Sequence, residues 1–464
     1  MKIPLFITRS FGLLAVFALL VSAIVSVGKA GAFQQDNKVW TDIPKQYLPR
    51  NFQNAINLRE GRFLYLDVNV IRDSLSSAPQ ETDSDRDERL VTINLPLPDG
   101  SNQRFGIFES PIMAPGLAAK YPQIKTYAGQ GLDDPTISTR LDLTPKGFHA
   151  ILFTPDGTIY IDPLFKDNLA YYASYHREDY LPRNGDVFYE PQVMALADDL
   201  SEAFPVGVNT IQLAASSGAQ LRTYRLALAA TGEYTLYHGG EVADALAAQV
   251  VAMNRVNGIY EREVAIRMVL IPNNELIIYT DGLTDPYTND DGAKMLSENQ
   301  KNLDDVIGPD NYDIGHVFST GGGGIALLES PCRVKFKAQG VTGLRNPVGD
   351  AFYVDYVAHE MGHQWGANHT YNGDAGSCAT GRSASAAYEP GSGSTIMSYA
   401  GICAEQDLQE HSDAYFHPIS IDEIVTYTTQ NEGSTCGVVS DTGNTPPQIT
   451  TGSGGYSIPI DTPF

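Results

Sequence analysis

HEMGHQWGANH, residues 359–369, holds three of the chain's nine histidines. On a helix over 351–366, His359 and His363 lie four residues apart and project from one face. Two imidazoles so placed can reach a single metal ion. Glu360 sits beside them, able to touch a metal-bound water without ligating the metal. Gly366 leaves the helical conformation at little cost, so the chain can turn and bring His369 back as a third ligand. Three His ligands leave one coordination position open, the arrangement of a catalytic zinc and not of a closed structural one. Zinc there lowers the pKa of bound water and polarises a carbonyl. Glu360 would take the water's proton and pass it to a leaving amine, which amounts to peptide-bond hydrolysis. The rival reading, a helix with incidental histidines, has to put five residues at these spacings by accident.

The rest of the chain suits an exported protein. With 464 residues it is long enough for two or three domains, and its 42% hydrophobic and 19% charged residues are ordinary for a globular protein. Lys2 and Arg9 precede the apolar run FGLLAVFALLVSAIVSV and then KAGA. This is the layout of a secretory signal peptide over residues 1–32, cleaved after Ala30-Gly31-Ala32. As an uncleaved anchor the run would be at the short edge for a bilayer. No later segment is apolar enough to span a membrane, so the expected location is secreted or at the cell surface. Loss of Lys2, Arg9 and Lys29 takes the formal net charge from -24 to -27. Such a surface repels nucleic acid and anionic membranes. Its carboxylates could hold calcium, although solubility alone accounts for them more simply. The cysteines are Cys332, Cys378, Cys403 and Cys436. An even count in an exported chain reads as disulfides, and no C-x-x-C pair favours a zinc knot.

Two textures divide the chain. Residues 33–215 alternate short strand-like runs with turns: RFLYLDVNVI, RLVTINLPL and GFHAILFTPDGTIYIDPL, the last a hairpin around Pro155-Asp156-Gly157. ETDSDRDER (81–89) reads as a solvated loop and about 183–220 as a linker. From 221, strands (LRTYRLALAA, REVAIRMVLI, ELIIY, YDIGHVFS) mix with helices. The helices are GEVADALAAQVVAMNRVN, SENQKNLDDVIG, the motif helix, and SIDEIVTYTT, where Ser420 and Glu423 have capping-box spacing. The expected fold is α/β (α+β) over 221–437 after a β-rich domain. The remaining 438–464 is a Pro-, Gly- and Thr-rich linker, or the start of a β-sandwich domain.

SGSTIMSYAGIC (392–403) follows the histidine motif. HExxHxxGxxH and then a methionine turn is the metzincin pattern. HEMGHQWGANHTYNG, EPGSGSTIMSYAGIC and HVFSTGGGG together resemble the reprolysin-like metzincins of secreted bacterial proteins, over roughly 221–437. The preceding region resembles their propeptide more weakly. The resemblance implies a zinc-dependent endopeptidase made as a proenzyme, with a two-lobed catalytic domain, a mixed twisted sheet and a cleft taking an extended peptide. It implies that Met397 forms a hydrophobic base under the metal. Tyr399 either ligates zinc or stabilises the oxyanion, or else is a wall residue. It also implies Cys332–Cys436 and Cys378–Cys403 pairing and a monomeric enzyme. Two positions depart from the animal and venom branch: Thr370 stands where those reprolysins carry Asp, and the turn reads Met-Ser-Tyr.

Other features carry less. HVFSTGGGGIALL (316–328) is expected to supply the cleft's upper edge strand, with Gly321 to Gly324 permitting close backbone approach; a flexible loop is the alternative. His316, His411 and His417 read as structural. Asp281, Asp285, Asp290 and Asp291 are candidates for calcium, but the EF-hand spacing fails. With no cysteine before residue 332, latency cannot use a thiol and must rest on Asp, His or steric cover. Two other function classes remain: a surface binding protein with a non-catalytic zinc site, which Glu360 argues against, and a zinc hydrolase of non-peptide amides.

Overall fold

The computed structural model describes residues 39–181, 189–190 and 217–445. The expected signal peptide, most of the linker and the tail from 446 lie outside these residues.

The N-terminal region is a nine-stranded antiparallel sheet. Its strands are β1 (Trp40–Asp42), β2 (Arg62–Leu66), β3 (Val91–Pro96), β4 (Asn102–Glu109), β5 (Lys125–Gly131), β6 (Ser138–Thr144), β7 (Gly147–Thr154), β8 (Gly157–Pro163) and β9 (Tyr171–His176). Their spatial order is β1-β2-β9-β8-β7-β6-β5-β4-β3, so β3 to β9 form a continuous meander. The expected hairpin is β7–β8. The sheet curls until its edges meet: the Trp40 indole donates to the Asn94 carbonyl, and Ser174 to that of Pro96. One strand expectation is corrected. Only Arg62–Leu66 of RFLYLDVNVI is strand, and Val68–Leu75 is helix α1. Asp67 accepts hydrogen bonds from the Asn69 and Val70 N–H groups, and this N-cap outweighs the β preference of Val68, Val70 and Ile71. A short helix, α2 (Pro115–Lys120), follows β4.

The second region is built on a mixed sheet of order β11-β10-β12-β14-β13. Its strands are β10 (Gln220–Ala230), β11 (Ile266–Leu270), β12 (Ile314–Ser319), β13 (Gly324–Ala326) and β14 (Gly340–Gly343). β13 is antiparallel to β14, and the other pairings on this path are parallel. A further strand, β15 (Val438–Asp441), pairs antiparallel with the start of β10. Alternation along β10 separates two cores. Tyr224, Leu226, Leu228 and Ala230 face one, with helices α3 (Gly232–His238) and α4 (Val242–Val264). Ala227 and Ala229 face the other, with α5 (Gly292–Val306). Covering on both faces explains why these strands read as continuous apolar runs.

α4 is buried on all sides from Ala245 to Tyr260, because the N-terminal sheet covers the face turned away from β10. One core cluster contains residues of both regions, including Ile151, Phe153 and Tyr160 beside Val250, Val256 and Ile259. The N-terminal region also pairs with the edge of β11: Leu270 N–H donates to Ile112 O, and Ala114 N–H to Leu270 O (both 2.8 Å). Glu81, read as part of a solvated loop, forms an ion pair with Arg267 of β11 (2.8 Å).

Three element boundaries differ from expectation. ELIIY is a single helical turn, Asn274–Ile277, followed by one bridge from Ile278 to Ala230. α5 starts at Gly292, because Asp291 caps it through the Lys294 N–H. The terminal helix runs Pro418–Gln430, opened by Pro418 at its first position and by His417, not by Ser420.

Candidate active site

The motif helix has three parts: α6 (Asp350–Phe352), wide π-helical turns over Tyr353–Ala358, and α7 (His359–Gln364). The widened turns directly precede the first histidine, as is common beside functional sites. Tyr260 of α4 donates to the Ala358 carbonyl at this transition (2.8 Å). The helix ends at Trp365, and Gly366 turns the chain at φ +101°, a conformation that side chains with a Cβ resist. Asn368 is then fixed by the terminal helix, α8 (Pro418–Gln430): its N–H and its side-chain amide both donate to Glu423 (2.8 Å each). Glu423 is therefore a loop anchor and not a capping residue.

The structure brings His359, His363 and His369 together. Their Nε2 atoms stand 3.1 Å (359–363), 3.0 Å (363–369) and 3.3 Å (359–369) apart. Each Nδ1 lies 2.7 Å from a backbone carbonyl: Ile396 for His359, Ala367 for His363 and Gly381 for His369. A carbonyl can only accept, so each Nδ1 carries a proton, and in the neutral ring each Nε2 presents a lone pair. Three lone pairs converging at these distances repel one another unless a cation lies between them. Ligands at about 2.0–2.1 Å from a tetrahedral zinc are about 3.3–3.4 Å apart, so the donor set fits zinc. Burial pushes the His363 imidazole down to about 4, which keeps it neutral and ready to ligate.

Glu360 is fully buried, and neither carboxylate oxygen has a hydrogen-bond partner among the described residues. Burial, and then the charge of Glu190, holds its carboxyl well above the usual carboxylate range. A buried carboxylate without partners is costly; a metal-bound water beside it would supply the missing donor. A Cβ on Gly324 would lie 2.0 Å from its Oε1, so Glu360 sits directly under the edge strand β13.

Met397 is fully buried beneath α7, and a Cβ on Gly362, between the two helical histidines, would meet its sulfur at 2.4 Å. The preceding residue, Ile396, supplies the carbonyl that orients His359. The Tyr399 ring lies 4.7 Å from that of His369 and stacks on Tyr371 at 4.4 Å. Both cysteine pairs are bonded. Cys378–Cys403 ties the loop carrying Gly381 to the segment after Tyr399, and Cys332–Cys436 fastens the chain just before β15. Thr370 donates to the buried Glu389, which also accepts from the Ser394 and Thr395 N–H groups leading into Met397.

One residue of the site was not expected. Glu190, from the N-terminal side of the chain, points its carboxylate at the three imidazoles. Oε2 is 3.0 Å from His369 Nε2 and 3.4 Å from His359 Nε2, and Oε1 is 3.4 Å from His363 Nε2. Tyr399 donates its hydroxyl to Oε2. The side chain is 5% exposed. No local spacing in the sequence marks this residue.

The remaining candidates lie outside this cluster. His316 is buried between Gln364 (2.9 Å) and Thr342 (2.8 Å). His411 pairs with Asp355, and His417 caps α8. Gly321 to Gly324 connect β12 to β13, so the cleft edge is the short β13 and β12 is interior. Asp281, Asp285 and Asp291 spend their carboxylates on backbone N–H groups, and Asp290 accepts from the Asn289 amide. Among the described residues, the only group of three or more metal-ligating side chains is Glu190 with the three histidines. No helix there is long and apolar enough to cross a membrane.

Residues 220–431 match the family model described as metallo-peptidase family M12B, reprolysin-like. By that match this span is a reprolysin-like metallopeptidase domain, and it contains both the histidine motif and the methionine turn. No curated protein matches the chain. Among solved structures, metalloproteinase-II from Bacteroides fragilis aligns at 13% identity and TM-score 0.35, over 76% of this chain and 97% of that one. A chain from a chaperone–substrate complex aligns at 17% identity and TM-score 0.18, over 30% of this chain and 98% of that one.

Proposed function

We propose, taking the reprolysin-like metallopeptidase domain as the premise, that the protein is a secreted zinc endopeptidase made as a proenzyme. Residues 1–32 serve as its signal, 33–215 as its propeptide and 221–437 as its two-lobed catalytic domain. The observation that carries this reading is the buried Glu360, unpartnered beside three convergent imidazole lone pairs.

His359, His363 and His369 would hold the zinc, which supplies a Lewis acid and a bound water of lowered pKa. Glu360 would serve as base toward the attacking water and then as acid toward the leaving nitrogen. Tyr399, beside His369, donates its hydroxyl toward the scissile carbonyl oxygen. The backbone of β13 offers an edge against which an extended peptide adds as a further strand. Glu360, under Gly324, then faces the bond to be cut.

The test compares the full-length chain, matured by limited proteolysis, with its Glu360→Gln variant on casein, with zinc content measured in both. Equal zinc content and a fall in turnover of about 10²–10⁴-fold in the variant is the expected result. Equal turnover by both proteins removes Glu360 from the mechanism. Zinc in both with cleavage by neither turns the reading toward a binding protein with a non-catalytic metal site.

A further inference from the structure

We propose that Glu190 is the fourth metal ligand of the uncleaved chain, and that it takes the coordination position the catalytic water needs. This rests on the zinc endopeptidase reading above.

Glu190 is nearly buried, and its two oxygens face three Nε2 atoms at 3.0–3.4 Å. In the neutral rings those nitrogens carry lone pairs and no proton, because the Nδ1 protons go to backbone carbonyls. A carboxylate against three lone pairs is repelled, and a buried anion needs a counter-charge. One cation at the common centre meets both requirements. The spacing of Glu190 from the imidazoles matches the spacing among the imidazoles themselves, so the carboxylate stands where a fourth ligand belongs.

The neighbouring residue is held where a substrate would lie. The Gly324 N–H at the start of β13 donates to the Tyr189 carbonyl (3.0 Å), and the Tyr356 hydroxyl donates to the same oxygen (2.6 Å). Gly322 and Gly323 have φ of +81° and +74°. A Cβ on Gly323 would come within 2.2 Å of that carbonyl, so only glycine admits the segment here. Tyr189 and Glu190 thus use the cleft edge, the Tyr399 hydroxyl and the open metal position together. A peptide substrate and a water cannot enter while they remain. The chain has no cysteine before Cys332 to serve instead.

The test uses the full-length uncleaved chain loaded with cobalt(II) in place of zinc, as wild type, Glu190→Ala and Glu190→Gln. Metal stoichiometry, the visible absorption of the cobalt and its titration with acetohydroxamate are recorded, with folding checked by the denaturation midpoint. Glu190→Gln keeps the side-chain volume and a carbonyl oxygen for Tyr399, so it covers the case in which the alanine variant misfolds. All three are expected to hold one cobalt. Both variants should show an altered cobalt spectrum and bind acetohydroxamate at least tenfold more tightly than wild type. One cobalt in each, with equal spectra and equal acetohydroxamate affinity, overturns ligation by Glu190 and leaves the metallopeptidase reading intact. Absence of bound cobalt from all three folded proteins overturns the metal reading itself.

Discussion

The two sides of the proposed metal site are fastened differently. On the catalytic side every imidazole is anchored away from the point where the Nε2 atoms converge: the three Nδ1 atoms bond the carbonyls of Ile396, Ala367 and Gly381, and Glu423 holds the loop that carries His369. On the N-terminal side, Tyr189 and Glu190 are anchored through the site itself, on Gly324, Tyr356, Tyr399 and the imidazoles. Anchors outside the site survive when its contents change. Anchors within it are, on the proposed function, the groups that substrate would use, and withdrawing the N-terminal residues would free them all at once. The first arrangement suits a permanent ligand set and the second a removable one.

The contrast ends a short distance from the three imidazoles, where the two regions share a core. Arg255 of α4 is completely buried and forms ion pairs with Asp162 of β8 and with Asp350, the first residue of the motif helix. Tyr175 also donates to Asp162 (2.7 Å). Arg255→Met would leave two buried carboxylates without their counter-charge, at an expected cost of about 3–5 kcal/mol. The two tryptophans read the regions separately, Trp40 in β1 and Trp365 at the end of α7. With either tryptophan replaced by Phe, guanidinium unfolding followed by fluorescence should give one midpoint for both reporters, shifted equally by Arg255→Met. A Trp40 transition that precedes that of Trp365 in the parent protein would break the picture of a common core.

A smaller effect sharpens the catalytic side alone. His316 is buried on β12 and joins Gln364 of α7 to Thr342 of β14. Burial pushes its pKa from the ordinary 6.5 down to about 4, the hydrogen bond to Gln364 opposing. The folded protein therefore keeps this ring neutral where the unfolded chain takes up a proton. Its contribution is whole above pH 6.5 and is lost as pH falls toward 4, up to about 3 kcal/mol. Stability measured across that window should fall less steeply in His316→Gln than in the parent protein. Parallel slopes would mean that His316 is protonated, and differently bonded, in the fold.

How much of this was legible depended on whether the determining contacts are local. The histidine motif could be read because helical periodicity and one glycine fix its geometry, and Gly366 takes the positive φ that the turn demands. The β7–β8 hairpin and the interior strands followed from turn residues and apolar runs. Val68–Leu75 was misread because an Asp cap outweighs a run of β-branched residues, and Ser420 because Pro418 opens the helix earlier. Glu190 was not readable at all. It meets His369 across 179 residues of sequence, and only tertiary packing brings them together. Glu389 was missed for a related reason: its partners, Thr370, Ser394 and Thr395, lie in irregular loops on which no periodic pattern bears.

Glu389 gives the finest test of the catalytic side. Thr370 is fully buried and bonds this carboxylate, as do the backbone and hydroxyl of Thr395. The Thr370 N–H also reaches the Met397 carbonyl (3.0 Å), so the carboxylate ties the third ligand's neighbour to the methionine turn. Thr370→Val keeps the shape and removes one of four donors to a charged acceptor. The expected loss is about 1.5 kcal/mol of stability, with zinc affinity reduced by about tenfold at most because Glu389 retains its other donors. Thr370→Asp restores the residue that animal and venom reprolysins carry, yet it sets a second carboxylate against Glu389 in a buried site. Like charges there raise one pKa or force the pair apart, so this variant should be less stable than Thr370→Val at neutral pH and should recover part of the difference as pH falls. If Asp is tolerated better than Val at neutral pH, Glu389 is not the charged anchor of the turn.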